Sequence, residues 1–158
     1  MARRIRYGKC HAGLIDELVK SKGSTGPFDT KARCLVYAAG YAASFGPEKG
    51  RKKLPESTAE ALRYSTFTDL EYFDEFLLSL AILVKQDIKI LEDKAGDDSA
   101  VNSRIEIFEE FANYGLERLG ESLKSEHDKT DGINLLLHGA SDTTAENSAI
   151  DWSALEDL

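Results

Sequence analysis

The chain has 158 residues, enough for one domain that buries about 68–70% of its unfolded surface. Its hydrophobic content of 42% and charged content of 30% are those of a soluble globular protein, and its longest apolar run, Phe76 to Val84 broken only by Ser79, is far too short to span a bilayer. The net charge of −8 hides a division: residues 1–53 carry 12 Lys and Arg against 4 Asp and Glu, and residues 54–158 carry 8 against 24.

An overall acidic chain argues against nucleic acid as a partner, but a basic third sets up a local field that attracts phosphate. The alternative is that the two parts pair with each other or with a partner protein. The first ten residues, MARRIRYGKC, hold neither an apolar core nor a small-residue cleavage site. No secretory leader is expected, and the cytoplasm is the expected compartment. Two cysteines, Cys10 and Cys34, make a disulfide framework unexpected.

In chain order, residues 1–11 read as a basic arm carrying Arg3, Arg4 and Arg6. Leu14, Ile15, Leu18 and Val19 recur at helical spacing, which predicts a short helix over about 12–21. The stretch KSKGSTGPFDTKAR follows. It lacks the G-x-x-x-x-G-K-[ST] spacing of a Walker loop, since Pro27 follows its second glycine. Gly23-Ser-Thr-Gly26 fits the GXXG pattern of KH domains, but that fold needs three strands and this sequence supplies at most one. The plainer reading is a tight turn. Gly23 and Gly26 supply positive φ, and Asp29 or Thr30 caps the next helix. A phosphate contact at that helix N-terminus, with Lys22, Lys31 and Arg33 around it, is the other reading.

The second helix spans about 30–45 and is apolar on most sides, with Ala32, Leu35, Val36, Ala39 and Ala43 forming one face. Gly46-Pro47 stops it. The loop that follows, GPEKGRKKLP, is basic through Lys49, Arg51, Lys52 and Lys53. Residues 57–67 read as a short helix or an extended segment, because a capping-box match at Ser57–Glu60 precedes a run rich in β-formers. A second match, Thr68-Asp-Leu-Glu71, opens a helix to about Lys85 with Leu70, Phe73, Leu77, Leu80, Ala81 and Val84 inward. Another long helix covers about 100–124. Ile105, Phe108, Ala112, Leu116, Leu119 and Leu123 face its core side, and Glu106, Glu109, Glu110, Glu117 and Glu121 face outward. The apolar piece Ile133 to Leu137 is expected to pack on the domain.

Residues 139–158 contain no Lys or Arg and read as a flexible acidic tail. Ile150, Trp152, Leu155 and Leu158 punctuate it, which suits a segment that docks on a basic groove of a partner, or on this chain's own basic third. A frayed terminus is the remaining reading. The expected organisation is therefore an all-α compact bundle of about four to five helices over residues 1–138, with the basic arm at 1–11 and the acidic tail at 139–158.

Catalytic and metal signatures are absent from the sequence. No C-x-x-C or H-x-x-x-H occurs near Cys10, His11 or Cys34, and no Glu stands three residues before a histidine as di-iron bundles require. His138-Gly-Ala-Ser141-Asp142 holds hydrolase residue types, but consecutive side chains cannot form a triad. No metal, cofactor or catalytic residue is expected. The basic side chains of the arm, of the stretch around 22–33 and of the loop at 49–53 are the candidates for sequence-independent contact with a nucleic-acid backbone.

The runs Gly26-Pro-Phe-Asp-Thr-Lys-Ala32 leading into Leu35-Val-Tyr-Ala-Ala39, and Ile107-Phe-Glu-Glu-Phe-Ala-Asn-Tyr-Gly115, resemble the DNA phosphorothioation-associated (dnd system-associated) protein 4 family. The likeness runs from about Arg4 to Leu137. It implies a bacterial setting beside genes that replace a non-bridging phosphate oxygen with sulfur, often accompanied by restriction or antiphage genes. On this reading the chain is a non-enzymatic accessory or adaptor protein that binds other proteins of the cluster, with DNA-backbone contact and homo-oligomer formation as further options. The competing reading is a small DNA-binding transcriptional regulator.

Overall fold

The computed structural model describes residues 3–87, 89, 98–124 and 128–147. In chain order these form β1 (Arg4–Ile5), a single 3-10 turn at Lys9–His11, α1 (Ala12–Leu18), β2 (Lys20–Ser21), β3 (Ser24–Thr25), α2 (Lys31–Ala43), β4 (Leu62–Arg63), α3 (Tyr64–Thr68), α4 (Phe73–Lys85), α5 (Ser99–Ser122) and α6 (Lys129–Asn147). The fold is helical and compact, as the periodicity predicts, with two short antiparallel ribbons, β1–β4 and β2–β3.

The 24-residue α5 is the hub. It lies along α2 for much of its length and receives α4 on its first half. The α2–α5 approach is set by small residues: a Cβ placed on Gly115 would stand 1.9 Å from the Ala38 carbonyl oxygen, so only glycine lets the two backbones come this close. On the α4 side an aromatic cluster fills the gap. The rings of Phe67, Phe73 and Phe76 all meet Phe108 edge-on, at centroid separations of 5.5–6.3 Å, the geometry that ring quadrupoles favour. Leu35, Ile105, Phe108, Ala112, Leu116, Leu119 and Leu123 are all buried, as their spacing predicts. Of the piece Ile133 to Leu137, expected to pack on the domain, Ile133 joins the core from α6 and Leu136 packs against it, but Leu135 and Leu137 are exposed, since one side of a helix faces solvent.

α2 starts where Thr30 caps it, its Oγ accepting from the Arg33 backbone N–H at 3.2 Å. Its end is turned by Gly46, which adopts φ +94°.

Several expectations change. The N-terminal segment is no free arm. Ile5 is fully buried and Tyr7 nearly so, β1 pairs with β4 in the register Arg4↔Arg63 and Ile5↔Leu62, and the backbone N–H groups of Lys9 and Ala59 close further links to Ser57 and Tyr7. The cause is visible in Arg4-Ile-Arg-Tyr7, whose strict alternation puts apolar side chains on one face of a strand. The two capping boxes do not start helices. Thr58 bridges Gly8 in an extended segment, and Thr68 instead ends α3, its hydroxyl donating to the Ser65 carbonyl. α4 begins four residues later than expected for that box, after Tyr72 takes a left-handed turn at φ 65°.

Gly23 and Gly26 do not supply positive φ. Lys22-Gly23 links the β2–β3 hairpin, and Gly26 serves a close approach instead: its Cβ would fall 2.2 Å from the Leu18 carbonyl carbon. Glu109, read as outward, is 1% exposed. Residues 139–147, assigned to the tail, are the second half of α6. The docking candidates Ile150, Trp152, Leu155 and Leu158 lie outside the described residues.

Candidate interaction surface

The acidic stripe of α5 receives Arg6, Arg51 and Lys52 from the basic third of the chain. Glu109 receives Arg6 three times: the Arg6 backbone N–H and Nε donate to Oε1 at 2.7 and 3.2 Å, and Nη2 donates to Oε2 at 2.9 Å. The guanidinium, held by this hydrogen bond and the carboxylate charge, has its pKa raised. At the next residue of α5, Arg51 reaches Glu110 at 3.1 Å and also donates through Nε to the Pro47 carbonyl at 2.7 Å. The Lys52 backbone N–H donates to the Glu110 carbonyl, while its ammonium pairs with Glu117, whose hydrogen bond raises the lysine pKa. The Asn113 amide donates to the Lys53 carbonyl at 3.3 Å. Residues 47–53 are thus strapped to α5 by backbone and side chain together.

The other candidates meet carboxylates too. Arg3 pairs with Asp98, Lys31 with Asp16 at 3.3 Å, and Arg33 with Asp29 at 3.5 Å. Asp29 also accepts from Lys20 at 2.9 Å, the first cause of its lowered pKa. The N-terminus of α2, read as a candidate phosphate contact, therefore already has an internal carboxylate beside it. Among the described residues Arg4, Lys22, Lys49 and Lys53 form no ion pair, and neither does Arg63, which the sequence reading passed over. Its signal was only positional: it lies opposite Arg4 once the β1–β4 register is known.

Surface hollows border this region, among them one of about 350 Å³ between Arg6, Lys53, Glu106 and Glu110. A groove of about 340 Å³ runs between the N-terminal segment and α5, with Arg3, Arg4, Arg6, Asn102, Glu106 and Glu109 on its walls and Ile105 beneath. Another, of about 290 Å³, holds Arg3, Tyr64, Asp74 and Arg104 against the apolar side of α4. There the Tyr64 hydroxyl donates to Asp74 at 2.9 Å, and burial, followed by that bond, pushes its pKa up to about 12.

His11 is half-buried beside α5 and the 47–53 strap. Burial lowers its pKa, with Lys52 adding to the effect and Glu117 and Asn113 opposing it. Cys34 is fully buried, and desolvation pushes its thiol up to about 12, so it is a core residue without nucleophilic character. Cys10 is exposed. Among the described residues no group of three or more His, Cys, Asp or Glu is placed to hold a metal ion, and no helix is long and apolar enough to cross a membrane.

Fold and surface together define a small helical scaffold in which Arg6, Arg51 and Lys52 are fastened to carboxylates of one central helix. The chain belongs to the family described as DNA sulphur modification system-associated protein 4, whose model matches residues 4–155. The match reaches past Leu137, so the acidic end lies largely within the family's span rather than outside it. No curated protein and no solved structure matches the chain.

Proposed function

We propose that this chain is a non-enzymatic accessory protein of a DNA phosphorothioation-linked modification or defence system. It acts by binding a partner protein of that system, with the DNA backbone as a secondary contact. The observation that carries this reading is the fate of the basic residues. Of the ten candidates for nucleic-acid contact, six (Arg3, Arg6, Lys31, Arg33, Arg51 and Lys52) are paired with carboxylates of the same chain. A protein that tracks phosphates needs its cations available for counterion exchange, whereas an adaptor needs a rigid surface and docking elements. The family description, association with a DNA sulphur modification system, supports an accessory role.

The docking element proposed is the acidic end, with Ile150, Trp152, Leu155 and Leu158 as apolar anchors. The test is co-purification of the full chain with products of the neighbouring phosphorothioation genes, beside a truncation after Asn147 that keeps α6 whole. Capture by the full chain and loss on truncation is the expected result. Failure of the full chain to capture any of them would overturn the adaptor reading. Tighter DNA binding by the truncated chain would show that the acidic end instead shields this chain's own cations.

A further inference from the structure

We infer that Arg4 and Arg63 together form a phosphodiester-binding site on the solvent face of the β1–β4 ribbon. The inference deepens the DNA-backbone part of the function proposed above: of the ten basic candidates it selects Arg4, and it adds Arg63. Arg4 and Arg63 are register partners in an antiparallel pair. Directly opposed residues in such a pair project to the same face with Cβ atoms about 5 Å apart, and like charges in that position destabilise the pair. Ile5, the next residue, is fully buried, so the arginine face is the outer one, and both Arg4 and Arg63 are exposed. Among the described residues neither has a carboxylate partner, in contrast to Arg3 and Arg6 on either side.

Two guanidinium groups carried on directly opposed residues are within reach of the non-bridging oxygens of one phosphodiester, or of two consecutive ones. The adjoining groove extends the site. Both Glu109 oxygens are taken by Arg6 and Arg3 is paired with Asp98, which leaves Arg4 and the Asn102 amide as donors on its walls and Glu106 as the carboxylate still facing it. A ribbon of two residues per strand has little stability of its own, and keeping an unneutralised arginine pair on it is explained by a bound anion. A nucleic-acid strand passing over the ribbon supplies that anion.

The test is fluorescence anisotropy with a short labelled DNA duplex across a salt series from about 50 to 200 mM. Arg4→Gln/Arg63→Gln is expected to weaken binding on the order of tenfold at low salt and to reduce the salt slope by about two. Glu106→Gln is expected to tighten it. The melting temperature of the double variant is expected to equal or exceed wild type, because the repulsion is relieved. Single Arg63→Gln is carried alongside, so that a double variant that fails to fold leaves the site readable. Binding by the double variant equal to wild type would place the phosphate contact elsewhere while leaving the DNA-backbone reading intact. The same result together with aggregation would make the pair a guard on a sheet edge only. No binding by the wild type at low salt would sink both the site and the DNA-backbone reading. Displacement of the duplex by inorganic phosphate at an equal phosphate concentration would show a free-anion site rather than one for a strand.

Discussion

At Gly115 a single hydrogen atom stands between α5 and the backbone of α2, and the neighbouring glycine on the other helix gives the comparison. Gly115→Ala would drive a methyl into the Ala38 carbonyl, where backbone on both sides leaves nothing able to rotate away. The helices must separate, and the packing of Leu35, Ala39, Ala112 and Leu119 loosens with them. A loss of about 3 kcal/mol is expected, the upper end for overpacking, read as a shift in the urea midpoint at unchanged slope. Gly40 sits within α2, but its Cβ would touch only the Phe76 ring, at an ordinary 3.9 Å. Gly40→Ala should therefore be neutral or gain up to about 1 kcal/mol from helix propensity. If both changes cost the same, the close approach of the two helices is not what Gly115 is for. Composition makes both glycines look like weak points in a helix. Only the crossing distinguishes them.

The same distinction between what a segment contains and what it touches governs the elements. GPEKGRKKLP reads as a solvent loop without core residues, so reversing its charges would be harmless to the fold. In the structure Gly50 is buried, Arg51 and Lys52 meet Glu110 and Glu117, and the backbone is tied to α5. Arg51→Glu/Lys52→Glu/Lys53→Glu would bring new carboxylates against two existing ones. Each exposed pair is screened by solvent and contributes little by itself, but the new repulsions act together with the loss of the existing pairs. A lower urea midpoint than wild type is expected by chemical denaturation, and an unchanged midpoint would restore the free-loop reading.

The helices with strong apolar periodicity, 31–43, 73–85 and 99–122, are legible in the sequence because their stripes are set by burial that the pattern itself records. The β1–β4 ribbon is not. Its strands are two residues long and 58 positions apart, and four letters of alternation in MARRIRYGKC are easily taken for a charge run. Capping boxes mislead for a related reason: Ser57 and Thr68 satisfy the local pattern, but β-pairing and the end of α3 claim those backbones first. Of the candidate site, residue types are legible and most pairings are not: Arg33 and Asp29 are four residues apart, but Arg6 and Glu109, Arg51 and Glu110, and Lys52 and Glu117 are brought together only by the fold.

For the molecule as a whole, Arg6, Arg51 and Lys52 clasp the acidic α5, and the response of stability to pH follows from two groups whose pKa the fold shifts, His11 and Asp29. His11 has a folded pKa lowered from 6.5 by burial. Below 6.5 the unfolded chain takes up a proton that the folded one refuses, so stability falls as pH drops through the window between 6.5 and the depressed value. Asp29, whose folded pKa is held below 3.8, first by its hydrogen bond to Lys20, adds stability that is lost as pH falls through the carboxylate range. Thermal melts from neutral pH to about pH 5 should show a decline that His11→Gln flattens. A decline of the same size in that variant would assign the effect to other groups.

The bond between Arg6 and Glu109 joins residues 103 positions apart. During synthesis, Arg6 leaves the ribosome long before the helix that receives it exists. It has no Glu109 to close on until α5 has emerged and turned that carboxylate toward the N-terminal strand. The fastening of this strand to α5 is therefore a late event in folding, set by the completion of α5.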